Sequence, residues 1–226
     1  RDSGNSGFKL AMSEAKTEEY PTVQSANGKV GKCAKLETRS TGEFGNMVGM
    51  PIAAGNLFIG NFSILNAIAD PLGATRFGTP FYNKPLRLTG YYKYKSGEKF
   101  YEHGEYTSRK DIFNIYAIFY DGVKYDSAGK RTDVTLDGNL PNQNYEHPNM
   151  VALALVSNPQ ETEGDEWKFF DIPFDYQRYG KKIDEARLAK GEYKIGIIFA
   201  SSKDGATFEG APGSTLLIDE VELIYE

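Results

Sequence analysis

Short apolar runs recur along the chain, each bounded by Gly, Pro, Asn, Asp or charged residues. They are KCAKLET (32–38), GNLFIGNF (55–62), LRLTGYYKYKS (86–96), DIFNIYAIFY (111–120), MVALALVS (150–157), WKFFDIPFDY (167–176), EYKIGIIFAS (192–201) and STLLIDEVELIYE (214–226). Runs of this length, rich in Val, Ile, Phe, Tyr and Leu and punctuated by turn formers, predict strands. Helical patterning is sparse. KIDEARLAKG (182–191) predicts a short amphipathic helix ended by Gly191, and ILNAIAD (64–70) predicts another ended before Pro71. Many strands and few helices predict an all-β sandwich of two antiparallel sheets, one domain over 1–226. Two stretches read as long loops that border a binding surface: 71–85 and 121–149.

A period of two assigns the faces. In LRLTGYYKYK, Leu86, Leu88, Tyr92 and Tyr94 point one way, towards the core, and Arg87, Thr89, Tyr91 and Lys93 the other. Phe113, Ile115, Ala117 and Phe119 are expected inward, which leaves Asn114 and Tyr116 on an outer face. Phe170, Ile172 and Phe174 are expected inward, with Trp167, Phe169 and Asp171 outside. In the last run, strict alternation puts Glu220 and Glu222 opposite Asp219 and Val221.

Composition supports strands. Aromatics are 13% of the chain, with 15 Tyr and 14 Phe against one Trp. Charge removes one class of partner: 26 Lys and Arg against 31 Asp and Glu give a formal charge of -5, with no basic block to track a phosphate backbone, so no nucleic acid is expected. Cys33 stands alone and only His103 and His147 accompany it, so neither an internal disulfide nor a zinc cluster is expected. No cofactor is required. A structural calcium at the sandwich rim remains open through Asp2, Asp70, Asp204 and Asp219, although none lies in an EF-type loop. No stretch approaches the ~20 apolar residues of a membrane-spanning helix.

The outer faces set aromatic rings beside polar groups, the chemistry that receives a sugar. A pyranose packs its C–H face on a ring, and its hydroxyls pair with planar amide, carboxylate or guanidinium groups. Arg87, Tyr91, Lys93, Asn114, Tyr116 and Trp167 are the candidate carbohydrate-binding residues. Tyr on an antiparallel sheet is otherwise a common cross-strand packing residue. Trp167 stands out as the only Trp, placed where the acidic loop ETEGDE (161–166) meets a strand. Glycoside hydrolysis would need two facing carboxylates, and neither ETEGDE nor IDEVELIYE has the E-x-D-x-x-E spacing of sandwich-type glucanases. Gly-x-Ser-x-Gly is absent, and GAPGST (210–215) lacks the Lys of a phosphate-binding loop. No catalytic residue is assigned.

The C-terminal stretch EYKIGIIFASSKDGATFEGAPGSTLLIDEVELIYE resembles the putative carbohydrate metabolism domain family of Bacteroides-type surface lipoproteins. GKVGKCAKLETRS, AAGNLFIGNF and PLRLTGYYKYKSGE fit the same pattern in the same order. The resemblance implies a jelly-roll sandwich of the galactose-binding-like or carbohydrate-binding-module type, often preceded by an immunoglobulin-like domain. It further implies export, with a lipid anchor upstream, and a monomer that binds a poly- or oligosaccharide at the outer-membrane surface or in the periplasm. The abrupt start at RDSGNSGF agrees with a leader or upstream domain cut away. The expected role is non-catalytic glycan binding in polysaccharide utilisation; a glycoside hydrolase or lyase, or a structural adhesin, are the alternatives.

Overall fold

In the computed structural model, which describes residues 1–66 and 69–226, every one of the eight apolar runs contains a strand. Ten strands build the sandwich: β1 (Thr22–Ser25), β2 (Cys33–Glu37), β3 (Asn56–Phe58), β4 (Thr79–Phe81), β5 (Pro85–Lys95), β6 (Asn114–Asp121), β7 (Met150–Leu155), β8 (Lys168–Pro173), β9 (Tyr193–Ala200) and β10 (Thr215–Tyr225). The front sheet runs β1-β2-β10-β5-β8. The back sheet runs β7-β6-β9-β3, with β4 also paired to β9. All these pairs are antiparallel. The fold is a jelly-roll β-sandwich.

The inner faces follow the alternation. Leu36, Leu216 and Tyr94 lie in one row across β2, β10 and β5, and Ile115, Ala117 and Phe119 of β6 face Phe199, Ile197 and Ile195 of β9. These side chains form one buried core with Leu88, Tyr92 and Phe170. Gly90 is part of that fit, because a Cβ there would stand 2.6 Å from the Phe170 ring.

Three departures from simple alternation shape the rest. GNLFIGNF is two strands, since the chain leaves the back sheet after β3 and Gly60–Phe62 joins a small sheet with Thr75–Phe77 and Leu136–Asp137. Gly60 permits this at φ +154, where a Cβ would meet the Arg76 carbonyl oxygen at 2.0 Å. The stretches 71–85 and 121–149 are not bare loops but carry strands and turns, among them a hairpin of Val123–Tyr125 with Arg131–Asp133. Finally, β10 bulges between Asp219 and Glu222, with Glu220 left-handed at φ 49.

The back sheet is covered on its outer side too. Phe58, Phe77, Tyr116, Ile118, Tyr120, Leu136, Leu140 and Tyr145 form a second buried cluster there. Two short helices, α1 (Asn5–Ala11) and α2 (Gly42–Met47), lie in the N-terminal segments. The 182–191 helix is present as Glu185–Ala189, capped by the Asp184 carboxylate accepting from the N–H groups of Ala186 and Arg187 and followed by Gly191 at φ +67. Of the helix expected over 64–70, Ile64–Asn66 form a 3-10 turn, and 67–68 lie outside the described residues.

Candidate functional site

The outer face of the front sheet carries four of the six candidate residues. Along β5 the outward positions are Arg87, Thr89, Tyr91 and Lys93, and register sets Phe169 beside Tyr91 and Asp171 beside Thr89 on β8. The Tyr91 and Phe169 rings stand 5.1 Å apart, tilted by 54°. Trp167 precedes β8 by one residue and so continues this face by one rung. Its ring lies 5.1 Å from the Lys93 Nζ. Three aromatic rings therefore form a short platform along the β5–β8 edge, with Phe169 57% exposed at its rim.

The charged groups around the platform hold one another. Arg87 Nε donates to Asp171 Oδ1 at 2.6 Å, and Lys93 Nζ to Asp165 Oδ1 at 3.2 Å. The Arg87–Asp171 hydrogen bond holds the guanidinium above its usual pKa. Lys29, from the β1–β2 connection, places its Nζ 4.2 Å from the Tyr91 ring centre. Beside the platform, along the free edge of β8, runs an open groove of about 430 Å3. Phe169 and Asp171 line it together with the planar polar groups of Asn158, Asp175 and Arg178.

Asn114 and Tyr116 do not join this face, and their expected exposure is corrected. Both are only 3% exposed. They stand on β6 of the back sheet, where Tyr116 packs edge-on against Phe77 and Tyr145, and Asn114 Nδ2 donates to the Tyr145 hydroxyl at 2.9 Å. The cause is the second cluster above them. Sequence carried a signal for it: Ile115 to Tyr120 is apolar at every position, as in a strand buried on both faces. Phe169, although expected outward, is a platform residue that the candidate set lacked; it pairs with Tyr91 in register. Lys29 lies in a turn, where no periodicity assigns a face.

The bulge in β10 also changes where the acids fall. Asp219 pairs with Tyr91 and Glu222 with Thr89, so both belong to the front face, contrary to strict alternation. Asp219 is 8% exposed and accepts from the Val30 and Glu220 N–H groups at 3.0 and 2.9 Å. Asp171 and Glu222 flank Thr89 from opposite sides, two strand spacings or roughly 9.5 Å apart in backbone terms. The rim aspartates considered for calcium are occupied separately. Asp2 accepts from Ser3 and Phe62 N–H groups, Asp70 caps Gly73, and Asp204 pairs with Arg109. Among the described residues, no group of three or more His, Cys, Asp or Glu side chains is placed to hold a metal ion.

The Gly-rich segment 201–214 is a clasp tied to one carboxylate. Asp111, 2% exposed, accepts at Oδ2 from Ser202 Oγ (2.6 Å), Ser214 Oγ (2.7 Å) and the Ala211 N–H (2.8 Å). Both ends of the segment thus meet at a single group. Burial pushes the Asp111 pKa up against these hydrogen bonds.

A Bacteroides vulgatus protein of solved structure, described as a putative glycoside hydrolase, is 52% identical, with 99% of this chain and 85% of that one aligned at a TM-score of 0.91. A second, from Bacteroides thetaiotaomicron and described in the same words, is 49% identical at a TM-score of 0.89. It is aligned over 99% of this chain but 62% of its own, so this chain spans less than two thirds of that relative. The family 11 carbohydrate-binding module of a Clostridium thermocellum cellulase aligns at 11% identity and a TM-score of 0.35. No curated protein matches the sequence. Residues 1–224 match the family described as putative carbohydrate metabolism domain, and the chain belongs to that family.

Proposed function

We propose that this domain binds glycan chains without cleaving them, on the platform of Tyr91, Phe169 and Trp167 and in the groove beside it. The observation that carries the reading is the group of rings on the outer sheet face, with planar hydrogen-bonding groups next to it. Sugar rings would stack on the aromatics, and hydroxyls would reach Arg87, Asp171 and Asn158. Such a wet site gives weak binding, roughly micromolar to millimolar, because each polar contact with the sugar replaces one with water. Membership of a carbohydrate family supports the ligand class. The Bacteroides origin of the two near relatives supports an extracytoplasmic setting, where a monomer would meet polysaccharide.

The test is native affinity electrophoresis through gels containing plant, host and microbial polysaccharides, with released reducing ends assayed on every hit. Retardation without released ends supports binding. Trp167→Ala and Tyr91→Ala should then each weaken retention at least tenfold while melting as the parent does. Full retention in both variants would remove the platform from the reading.

A second reading, hydrolysis, is favoured by the description of the two near relatives and by Asp171 and Glu222 flanking Thr89. Their spacing is near the upper limit for an inverting pair of carboxyl groups. Against it stands the Arg87 pairing, which holds Asp171 in an ion pair. Reducing ends released by the parent and lost in Glu222→Gln would establish this reading.

A further inference from the structure

The covering of the back sheet is not solid. Beneath α1, α2 and the 201–214 clasp lies a chamber of about 190 Å3. Its walls are mainly apolar, with Phe58, Phe77, Ile198 and Phe208 among them, and Asn114 and Tyr116 of β6 reach it. Phe208 is held there in a left-handed conformation, φ 59.

Two polar atoms make this more than a packing defect. The Tyr116 hydroxyl and Asn114 Oδ1 have no hydrogen-bond partner among the described residues, where the Asn114 amide meets Tyr145 through Nδ2 alone. Both residues are only 3% exposed and line the chamber, and a buried polar group without a partner costs stability.

We propose that the chamber is a second binding site, for a small aromatic group bearing a hydroxyl, such as a free phenol or a phenolic substituent carried on a larger molecule. The size fits: an apolar cavity of about 150 Å3 already admits a benzene ring. Phe58 and Phe77, packed edge-on 5.7 Å apart, offer a ring the T-shaped contacts that aromatics prefer. The hydroxyl would donate to Asn114 Oδ1 and accept from Tyr116. An aliphatic chain would leave both unpaired, which is why the choice falls on a phenol. The chamber lies on the sheet opposite the aromatic platform and does not depend on it.

p-Cresol and toluene are the probes, titrated into the whole domain by calorimetry and by saturation-transfer NMR. p-Cresol should bind with a dissociation constant of about a millimolar or tighter, and toluene at least tenfold more weakly. Tyr116→Phe should weaken p-cresol about tenfold and leave toluene unchanged, since it removes one hydroxyl and no wall. Ala200→Leu, which fills the chamber from the position paired with Asn114, should abolish both. If Ala200→Leu does not fold, the p-cresol to toluene ratio in Tyr116→Phe decides. No binding of p-cresol, binding that survives Ala200→Leu, or a ratio unchanged in Tyr116→Phe would each overturn the proposal.

Discussion

Replacing Asp111 tests whether the 201–214 clasp is held by one carboxylate. In Asp111→Ala, the Ala211 N–H loses the partner it has at 2.8 Å, and the Ser202 and Ser214 hydroxyls lose charge-assisted bonds of 2.6 and 2.7 Å. Ser202 keeps a contact with Thr38, and Ser214 still accepts from the Gly97 N–H, so the hydroxyls are partly rescued. An orphaned N–H costs about 1–3 kcal/mol and a hydrogen bond to a charged group contributes about 1.5–3. Relief from burying a carboxylate without a cation offsets some of this. The expected loss is about 3 kcal/mol, or roughly 6–12 °C in Tm for a domain of this size. Asp111→Asn keeps one acceptor and should lose about half as much. Urea unfolding followed by circular dichroism reads both. A loss below about 1 kcal/mol in Asp111→Ala would refute the clasp.

The same residue gives a pH signature. Because the folded pKa is raised, the folded state holds this proton at pH values where the unfolded chain has released it. Its contribution is full below the ordinary aspartate value near 4 and declines as pH rises towards the folded value. Asp111→Asn should lack that decline, so the stability difference between parent and variant should vary across this window and be flat outside it.

Arg187→Ala should cost about 2–3 kcal/mol, because the guanidinium joins both Asp121 oxygens, Glu192 and the Val123 carbonyl, and each acid would lose its partner. The Tyr125 hydroxyl and Arg187 hold the Glu192 pKa below its usual value, so its contribution is present above about pH 4 and lost as pH falls further; acid unfolding of the variant should be correspondingly less steep. Glu220→Gly should raise stability by about 0.5–1 kcal/mol by relieving the left-handed bulge residue at φ 49, and a lower urea midpoint would show that the Glu220 side chain matters more than the backbone.

Strand positions were legible because period-two burial leaves a strong trace: Leu88, Tyr92 and Tyr94 alternate inward along β5 as its sequence predicts. Three things left weaker traces. A one-residue bulge has no sequence mark beyond a turn-tolerant residue, and at Glu220 even that is missing, so strict alternation separates Asp219 from Glu222 although the two share the front face. The break in GNLFIGNF depends on how closely Gly60 approaches Arg76, a contact between segments distant from local patterning. The second core depends on residues 134–145 folding over the back sheet, and α1 and α2 line the chamber beside it. The continuous apolar character of β6 announces burial on both sides but not what does the burying.

The cover over the back sheet decides where chemistry can occur. Had the back sheet been open, Asn114 and Tyr116 would have met solvent as a sugar-binding face, and their hydroxyl and amide would have been wet and inexpensive. Covered, the same two residues become polar atoms in an apolar chamber, where a ligand that satisfies them gains more than it would at the surface. The front sheet has no such cover. Its rings stay partly in water beside ion pairs that already satisfy Arg87 and Lys93, which suits a long, weakly held polar chain rather than a small tightly held one. One strand pattern thus yields two surfaces of opposite character, and substitutions on β5 and β6 should separate them: Tyr91→Ala should act on polysaccharide retention and Tyr116→Phe on phenol selectivity.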